Sequence, residues 1–340
     1  MPASPRVTVV IPAYNVGRFI DETLASVAAQ THPAHEVVVV DDGSSDDTNL
    51  RIRAWGGQCG ASPLILLDGP NRGLSASRNR AMMAGSGELF AFLDGDDCFL
   101  PWHLERLISA FEAIPGLAVA FGDSIRFREG GEDLLGNLEP IRLALRDIST
   151  PIPHTELLRL GPELRCLYVE QTAILPSSWL VSRVAVVLAG MFDPSHSYAE
   201  DIDFLWRILG VGDAVWYDGA TSRRREHGEN ASDPRRAEWS EPQILRALGR
   251  LRNFTPGLTE AEAQALDRQL RSTLWVTGWL AAGHGLTHYR AWRRDARRWT
   301  GRRAPLRLKQ LLRALRRSAP LGGVPSEPAI RPQRSPVPES

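Results

Sequence analysis

LFAFLDGDDCFLP, residues 89–101, carries a continuous apolar run straight into three carboxylates within four residues, Asp94, Asp96 and Asp97. The run (LFAFLD, 89–94) does not alternate with polar residues, as expected of a strand covered on both faces. Four similar runs stand around it: VTVVI (7–11), EVVVVD (36–41), LILL (64–67) and LAVAF (117–121). Between them lie apolar stripes at helical spacing. Phe19, Ile20, Leu24 and Val27 form one, and Leu104, Leu107, Ile108 and Phe111 form another. Pro101 stands where a first-turn proline would. Strand–helix alternation with short links predicts an α/β fold with a mostly parallel central sheet flanked by helices. Ligands of such sheets bind outside the carboxyl ends of the strands, so chemistry is to be sought just after each run.

Farther along the chain the pattern thins. Residues 126–165, with Gly130-Gly131, Pro151 and Pro153, read as a long excursion over the sheet face. Periodicity resumes at QTAIL (171–175) and runs to Gly210, and AVWYD (214–218) is another strand candidate. Residues 240–284 look helical, with capping boxes expected at Ser240/Gln243 and Thr259/Glu262. The last twenty residues, rich in Pro, Ser and Arg, read as disordered. The division expected is a catalytic domain over 1–235, a helical Arg-rich region over 236–320 and a tail over 321–340.

At 340 residues, 43% apolar and 24% charged, the composition is that of a globular protein of about two domains. It excludes a collagen-like repeat, a disulfide scaffold and a mostly disordered chain. Cys59, Cys98 and Cys166 are too few and too scattered for a zinc cluster, and their odd number argues for a reducing compartment. No 18-residue stretch is apolar enough to span a bilayer, and MPASPRVTVVIP is too short before its first strand for a signal peptide. A cytoplasmic protein is therefore expected, with peripheral contact on the inner face of the membrane left open. The formal net charge of zero hides an asymmetry: residues 1–240 hold 21 arginines against 33 acids, whereas residues 241–340 hold 19 cations against 7 acids. There is a single lysine, Lys309.

The strand ends are polar and mostly acidic: Pro12-Ala13-Tyr14-Asn15, Asp41-Asp42-Gly43-Ser44, Asn71 to Asn79 and Asp94 to Asp97. Three crowded carboxylates repel one another, and a divalent cation relieves the repulsion. Oxygen ligands suit Mg²⁺ or Mn²⁺, which keep waters and share a substrate's phosphates. The competing reading is a solvated acidic turn. Likewise Asp41-Asp42-Gly43-Ser44 is either a strand-to-helix turn or a hydrogen-bonding partner for a nucleoside, and Arg78 either a solvated arginine or a phosphate contact.

These segments together resemble the family 2 glycosyltransferases. The matching stretches are VTVVIPAYN, VVVVDDGSSDDT, NRGLSASRN and AFLDGDDCFLP, then SSWLVSRVAVVLAGMFD, YAEDIDFLWRI and RRREHGENAS, over about residues 5–232. The resemblance implies a GT-A fold, Rossmann-like with a C-terminal helical extension, and transfer of a sugar from a nucleotide diphosphate donor with inversion. It implies that Pro12, Tyr14 and Asn15 line the nucleobase pocket and that Asp42 hydrogen-bonds the base. Arg78 then lies near the nucleotide, Asp94 near the ribose and donor sugar, and Asp96 at the metal with His227 as a second contact. Asp201, beside the substrate-contacting Glu200, takes the place of the catalytic base; its alternative is a first-turn acid favoured by the helix dipole. The role of Asp97 stays open. Trp179 and Trp206 are expected in the core rather than on a sugar. The implied acceptor is a polysaccharide, a lipid-linked glycan or another cell-surface glycan.

Two rivals stay in view. One takes LFAFLDGDDC as a haloacid-dehalogenase-type phosphatase motif with Asp94 as nucleophile, although that chemistry wants a later lysine and only Lys309 exists. The other is a nucleotide-sugar-binding protein without turnover. Residues 288–317 carry 12 cations, one Asp and an apolar stripe at Leu308, Leu311, Leu312 and Leu315. They fit a packed helix with a solvated basic face or a helix lying on an anionic membrane. Nucleic acid is disfavoured for want of interleaved aromatics.

Overall fold

The computed structural model describes residues 4–128, 131, 133–228, 230, 234–301 and 307–318. Seven strands form the sheet's body: β1 (Val7–Ala13), β2 (Glu36–Asp41), β3 (Ser62–Asp68), β4 (Leu89–Phe92), β5 (Val119–Arg128), β6 (Trp179–Ser182) and β7 (Ala214–Glu226). They lie in the order 3-2-1-4-6-5-7, with short strands added at the edges. β3, β2, β1 and β4 are mutually parallel, as are β5 and β7, and β6 alone of the seven runs against its neighbours. The expected mostly parallel sheet is what forms.

The unbroken apolar runs are explained by cover on both sides. Val10, Val38, Val40, Phe90 and Phe92 belong to one core cluster, and Val9, Ile11, Val37, Val39 and Ala91 to the other. Successive side chains thus enter opposite cores. Helices α1 (Gly17–Ala28) and α4 (His103–Ala113) bring Ile20, Leu24, Val27, Leu104 and Leu107 to the second cluster, and α3 (Leu74–Ala84) brings Ala81 and Met82 to the first. The helix α2 (Thr48–Ala54) follows β2.

Several expectations need correction. Residues 171–210 are not one periodic element: a 3-10 turn at Pro176–Ser178, strand β6, a helix at Arg183–Ala189 and helix α5 (Glu200–Ile208) divide them. β6 went unread because WLVS is short and its neighbours are helical in pattern. Residues 126–165 are not a bare excursion either; β5 continues to Arg128, and short strands at Asp133–Gly136, Ser149–Pro151 and Leu157–Leu160 pair antiparallel. Pro101 precedes α4 by two residues rather than opening it. Trp179 and Trp206 are fully buried, as expected.

The C-terminal helices are α6 (Ala237–Phe254), α7 (Glu260–Gly283), α8 (Leu286–Thr300) and α9 (Leu308–Ser318). Thr259 and Glu262 form the expected capping box on α7. Ser240 does not cap, since α6 already begins at Ala237. Leu245, Leu248, Leu266 and Tyr289 share a third core cluster with Val169, Ile202 and Trp206. The helical region is therefore packed against α5 rather than tethered beside it. The expected tail over 321–340 lies outside the described residues.

Candidate active site

The carboxyl ends of β1, β2 and β4 and the start of α5 surround one cavity of about 610 Å³. Pro12, Tyr14, Asp42, Arg78, Asp94, Asp96, Glu200 and Asp201 all line it. Residues 159 positions apart in the chain thus face a common space, a consequence of parallel strands ending at the same rim.

Asp42 is held rather than free. Its two carboxylate oxygens accept from the backbone N–H of Arg72 and of Gly73, each at 2.8 Å. The turn after it depends on Gly43, at φ +78°, where a Cβ would lie 2.8 Å from the Asn71 nitrogen. Each Asp42 oxygen keeps a lone pair for a ligand. Asn15, expected in the pocket, is not among its lining residues. At φ +53° it accepts through Oδ1 from the Ser45 N–H at 2.8 Å, while its own N–H donates to Ser44 Oγ at 3.0 Å. It ties the loop after β1 to the loop after β2 and so shapes the pocket from behind.

Arg78, one turn into α3, is 1% exposed and is no surface arginine. Its guanidinium donates to Asp94 Oδ1 and to Glu200 Oε1, both at 2.6 Å, and packs over the Phe192 ring. This cation joins the turn after β4 to the helix that carries Asp201. Breaking a buried ion pair by deleting one partner leaves charge uncompensated. Arg78→Gln is expected to destabilise the fold by about 3–5 kcal/mol, read as a lower urea midpoint with an unchanged m-value.

The acidic turn divides its labour. Asp97 is buried, its oxygens accepting from Ser177 Oγ at 2.7 Å and from the Arg225 N–H at 3.0 Å. Burial, then the charges of Asp96 and Asp94, push its carboxyl well above the usual range. Through these bonds it fastens the turn to β7. Asp96 keeps partial exposure, with Oδ2 2.9 Å from His227 Nε2. Asn230 holds the histidine's loop, accepting from the His227 N–H and donating to the Arg225 carbonyl at 3.1 Å. Ser177, Arg225 and Asn230 were not singled out from sequence; nothing near Ser177 or Arg225 marks a contact made across 80 or more residues of chain.

Asp201 sits in the first turn of α5, its Oδ1 accepting from the Ile202 N–H at 2.9 Å. Burial and then the neighbouring Glu200 push its pKa up to about 7, with Arg78 pulling the other way. A carboxyl that must be ionised to accept a proton works only above that value. For a reaction in which Asp201 serves as the base, kcat/KM is expected to fall about tenfold per pH unit below pH 7. The stability sign is opposite. A raised folded pKa gives a contribution that is full below the ordinary value of 3.8 and is lost as pH rises through about 7. Asp201→Asn should accordingly raise Tm relative to the parent at pH 8 and change it less at pH 5.

Among the described residues no group of three His, Cys, Asp or Glu could hold a metal by itself. Asp96 and His227 supply two donors, which fits an ion that takes its remaining positions from phosphate and water. Lys309 lies outside the cavity, in a separate groove with Trp279 and Leu312. The phosphatase reading thus lacks its cation at the site.

Residues 8–159 match the family model described as Glycosyl transferase family 2. An uncharacterised protein of Mycobacterium tuberculosis is 38% identical over 299 residues, covering 82% of this chain and 84% of its own. A UDP-Glc:α-D-GlcNAc-diphosphoundecaprenol β-1,3-glucosyltransferase of Escherichia coli is 29% identical, over 38% of this chain and 47% of its own. The match spans about half or less of some curated relatives, only 33% of a Nostoc glycosyltransferase among them. Two solved structures share the fold at 18% identity. Staphylococcus aureus TarS with UDP-GlcNAc has a TM-score of 0.62, covering 87% of this chain and 81% of its own. A Pyrobaculum calidifontis mannosyltransferase with GDP-Man and Mn²⁺ has 0.56, covering 92% and 86%.

Proposed function

Because the chain belongs to the family 2 glycosyltransferases, we propose that it moves a sugar from a nucleotide diphosphate donor to an acceptor hydroxyl, inverting the anomeric carbon with a divalent metal at Asp96. The observation that carries this reading is that Asp42, Asp96 and Asp201 line one cavity.

The roles are those the family resemblance implies, and the geometry supports them. Pro12, Tyr14 and Asp42 form the nucleoside end, with Asp42 locked by backbone donors so that its free lone pairs face a ligand. Asp94, fixed by Arg78, stands toward the ribose and donor sugar. Asp96 and His227 would hold Mg²⁺ or Mn²⁺. When bound, that ion offsets the charge growing on the leaving diphosphate. Asp201 takes the proton of the acceptor hydroxyl as the new bond forms on the opposite face of the sugar. Its raised pKa makes it a stronger base than an ordinary aspartate. Glu200 and Arg78 fix its helix against the donor-side turn.

We place the acceptor among cell-envelope glycans, polysaccharide or lipid-linked; the Escherichia coli relative is named for a lipid-linked acceptor. The test is direct. UDP-, GDP- and dTDP-sugars are titrated with and without Mn²⁺, with thermal shift and nucleotide release as readouts. One donor class should raise Tm only with metal and release nucleotide. No shift and no release with any of them would refute the assignment, and binding without release would favour the non-catalytic rival.

A further inference from the structure

We infer that the outward face of α7 and α9 is a docking surface for an anionic lipid membrane. α9 is seated by one face only: Gln310 and Ala314 are fully buried, and Gln310 Nε2 donates to the Trp275 carbonyl at 2.7 Å. Its other face leaves Leu312 and Leu315 at 45% and 44% exposure. Beside them on α7, Trp275 and Trp279 are also exposed, one turn apart and stacked at 5.8 Å.

Cations frame these apolar groups. The Arg313 guanidinium lies over the Trp279 ring at 4.3 Å, and Arg316 and Arg317 are exposed. Trp279, Lys309, Leu312, Arg313, Arg316 and Arg317 line a groove of about 550 Å³. α9 carries four cations and no acid, in a hundred residues whose net charge is +12. Two leucines and two tryptophans partly exposed side by side make an apolar patch that a solvated basic face does not call for. Apolar groups flanked by Arg and Lys instead match the headgroup boundary of an anionic bilayer, where tryptophan also partitions. Nucleic acid would use the charge but not the leucines. No helix among the described residues is long and apolar enough to cross a membrane, so the contact is peripheral.

The patch also connects with the catalytic cavity. Beyond the end of α7, His284 Nε2 is 2.9 Å from Glu238. The adjacent Trp239, 46% exposed, packs at 5.3 Å on Tyr198, which lines the cavity. Docking would hold the chain on the bilayer that carries a lipid-linked acceptor, a corollary that rests on the transferase reading, whereas docking itself does not.

The test is co-sedimentation of the full chain with phosphatidylcholine vesicles, with and without about one third phosphatidylglycerol. Binding should be at least roughly tenfold stronger to the anionic vesicles and weaken in high salt. Arg316→Gln/Arg317→Gln should lower it roughly tenfold, and Leu312→Ser/Leu315→Ser by a similar factor, with unchanged circular dichroism. Equal binding to neutral and anionic vesicles, or undiminished binding in both variants, would overturn the inference. So would tight binding to a single-stranded oligonucleotide that the leucine variant retains while no form binds vesicles. Vesicle binding without any sugar transfer would sink the transferase reading and leave this one standing; transfer to a soluble acceptor without vesicle binding would do the reverse.

Discussion

Asp201→Asn is expected to keep donor binding within about twofold and to lower kcat by roughly 10²–10⁴, the contribution of a positioned general base. The substitution is nearly isosteric. The amide oxygen can still accept from the Ile202 N–H, so the first turn of α5 keeps its bond. Glu200 retains its pair with Arg78, so the cavity wall stays in place. What disappears is a group able to take a proton near neutral pH. The acid limb of the pH profile should vanish with it, because the residual rate no longer depends on ionising this side chain. Titration calorimetry with the donor and initial-rate measurements separate the two effects. Unchanged turnover would show that the base lies elsewhere, and the raised pKa of Asp201 would then reflect burial alone.

Asp96→Ala carries the second large effect, on binding rather than on the proton. Nucleotide affinity in the presence of Mn²⁺ should fall to its metal-free level, a loss on the order of several kcal/mol, or about 10³-fold. Asp96 is partly exposed, and its side chain pairs with His227 rather than with a core group. Folding stability should therefore change little, in contrast to Arg78→Gln. His227→Ala should weaken the metal by roughly 10–100-fold without abolishing it. A metal-supported affinity that survives Asp96→Ala would move the cation to other ligands, with Asp97, the neighbouring carboxylate of the same cavity, the first to test.

Much of this was legible because strands covered on both faces write themselves as unbroken Val/Leu/Phe runs. VTVVI, EVVVVD and LFAFLD each sit within two residues of an observed strand, and the polar residues after them meet at one rim. The rest was hidden for identifiable reasons. WLVS is too short a strand to stand out between helical segments, yet it turns the sheet's direction between β4 and β5. Arg78 and Glu200 are 122 residues apart, so nothing local distinguishes a buried salt-bridge arginine from a solvated one. Asp96 and Asp97 are adjacent and chemically identical, and both line the cavity; only the packing of Ser177 and β7 decides that Asp97 is the buried, hydrogen-bonded one. Asn15 was expected in the pocket because the family resemblance implies it, whereas its positive φ and bonds to Ser44 and Ser45 make it a loop clasp. The leucine stripe of α9 was visible, but not that Leu312 and Leu315 would stay outside.

Crystals grown with Mn²⁺ and the donor nucleotide identified by titration would locate the ion by its anomalous signal. The ion is expected on the Asp96 carboxylate, with the diphosphate beside it, the base by Asp42 and Asp201 across the cavity from the leaving group. A nucleotide bound in any other groove, or a metal peak with Asp96 outside its ligands, would contradict the single-cavity transferase site.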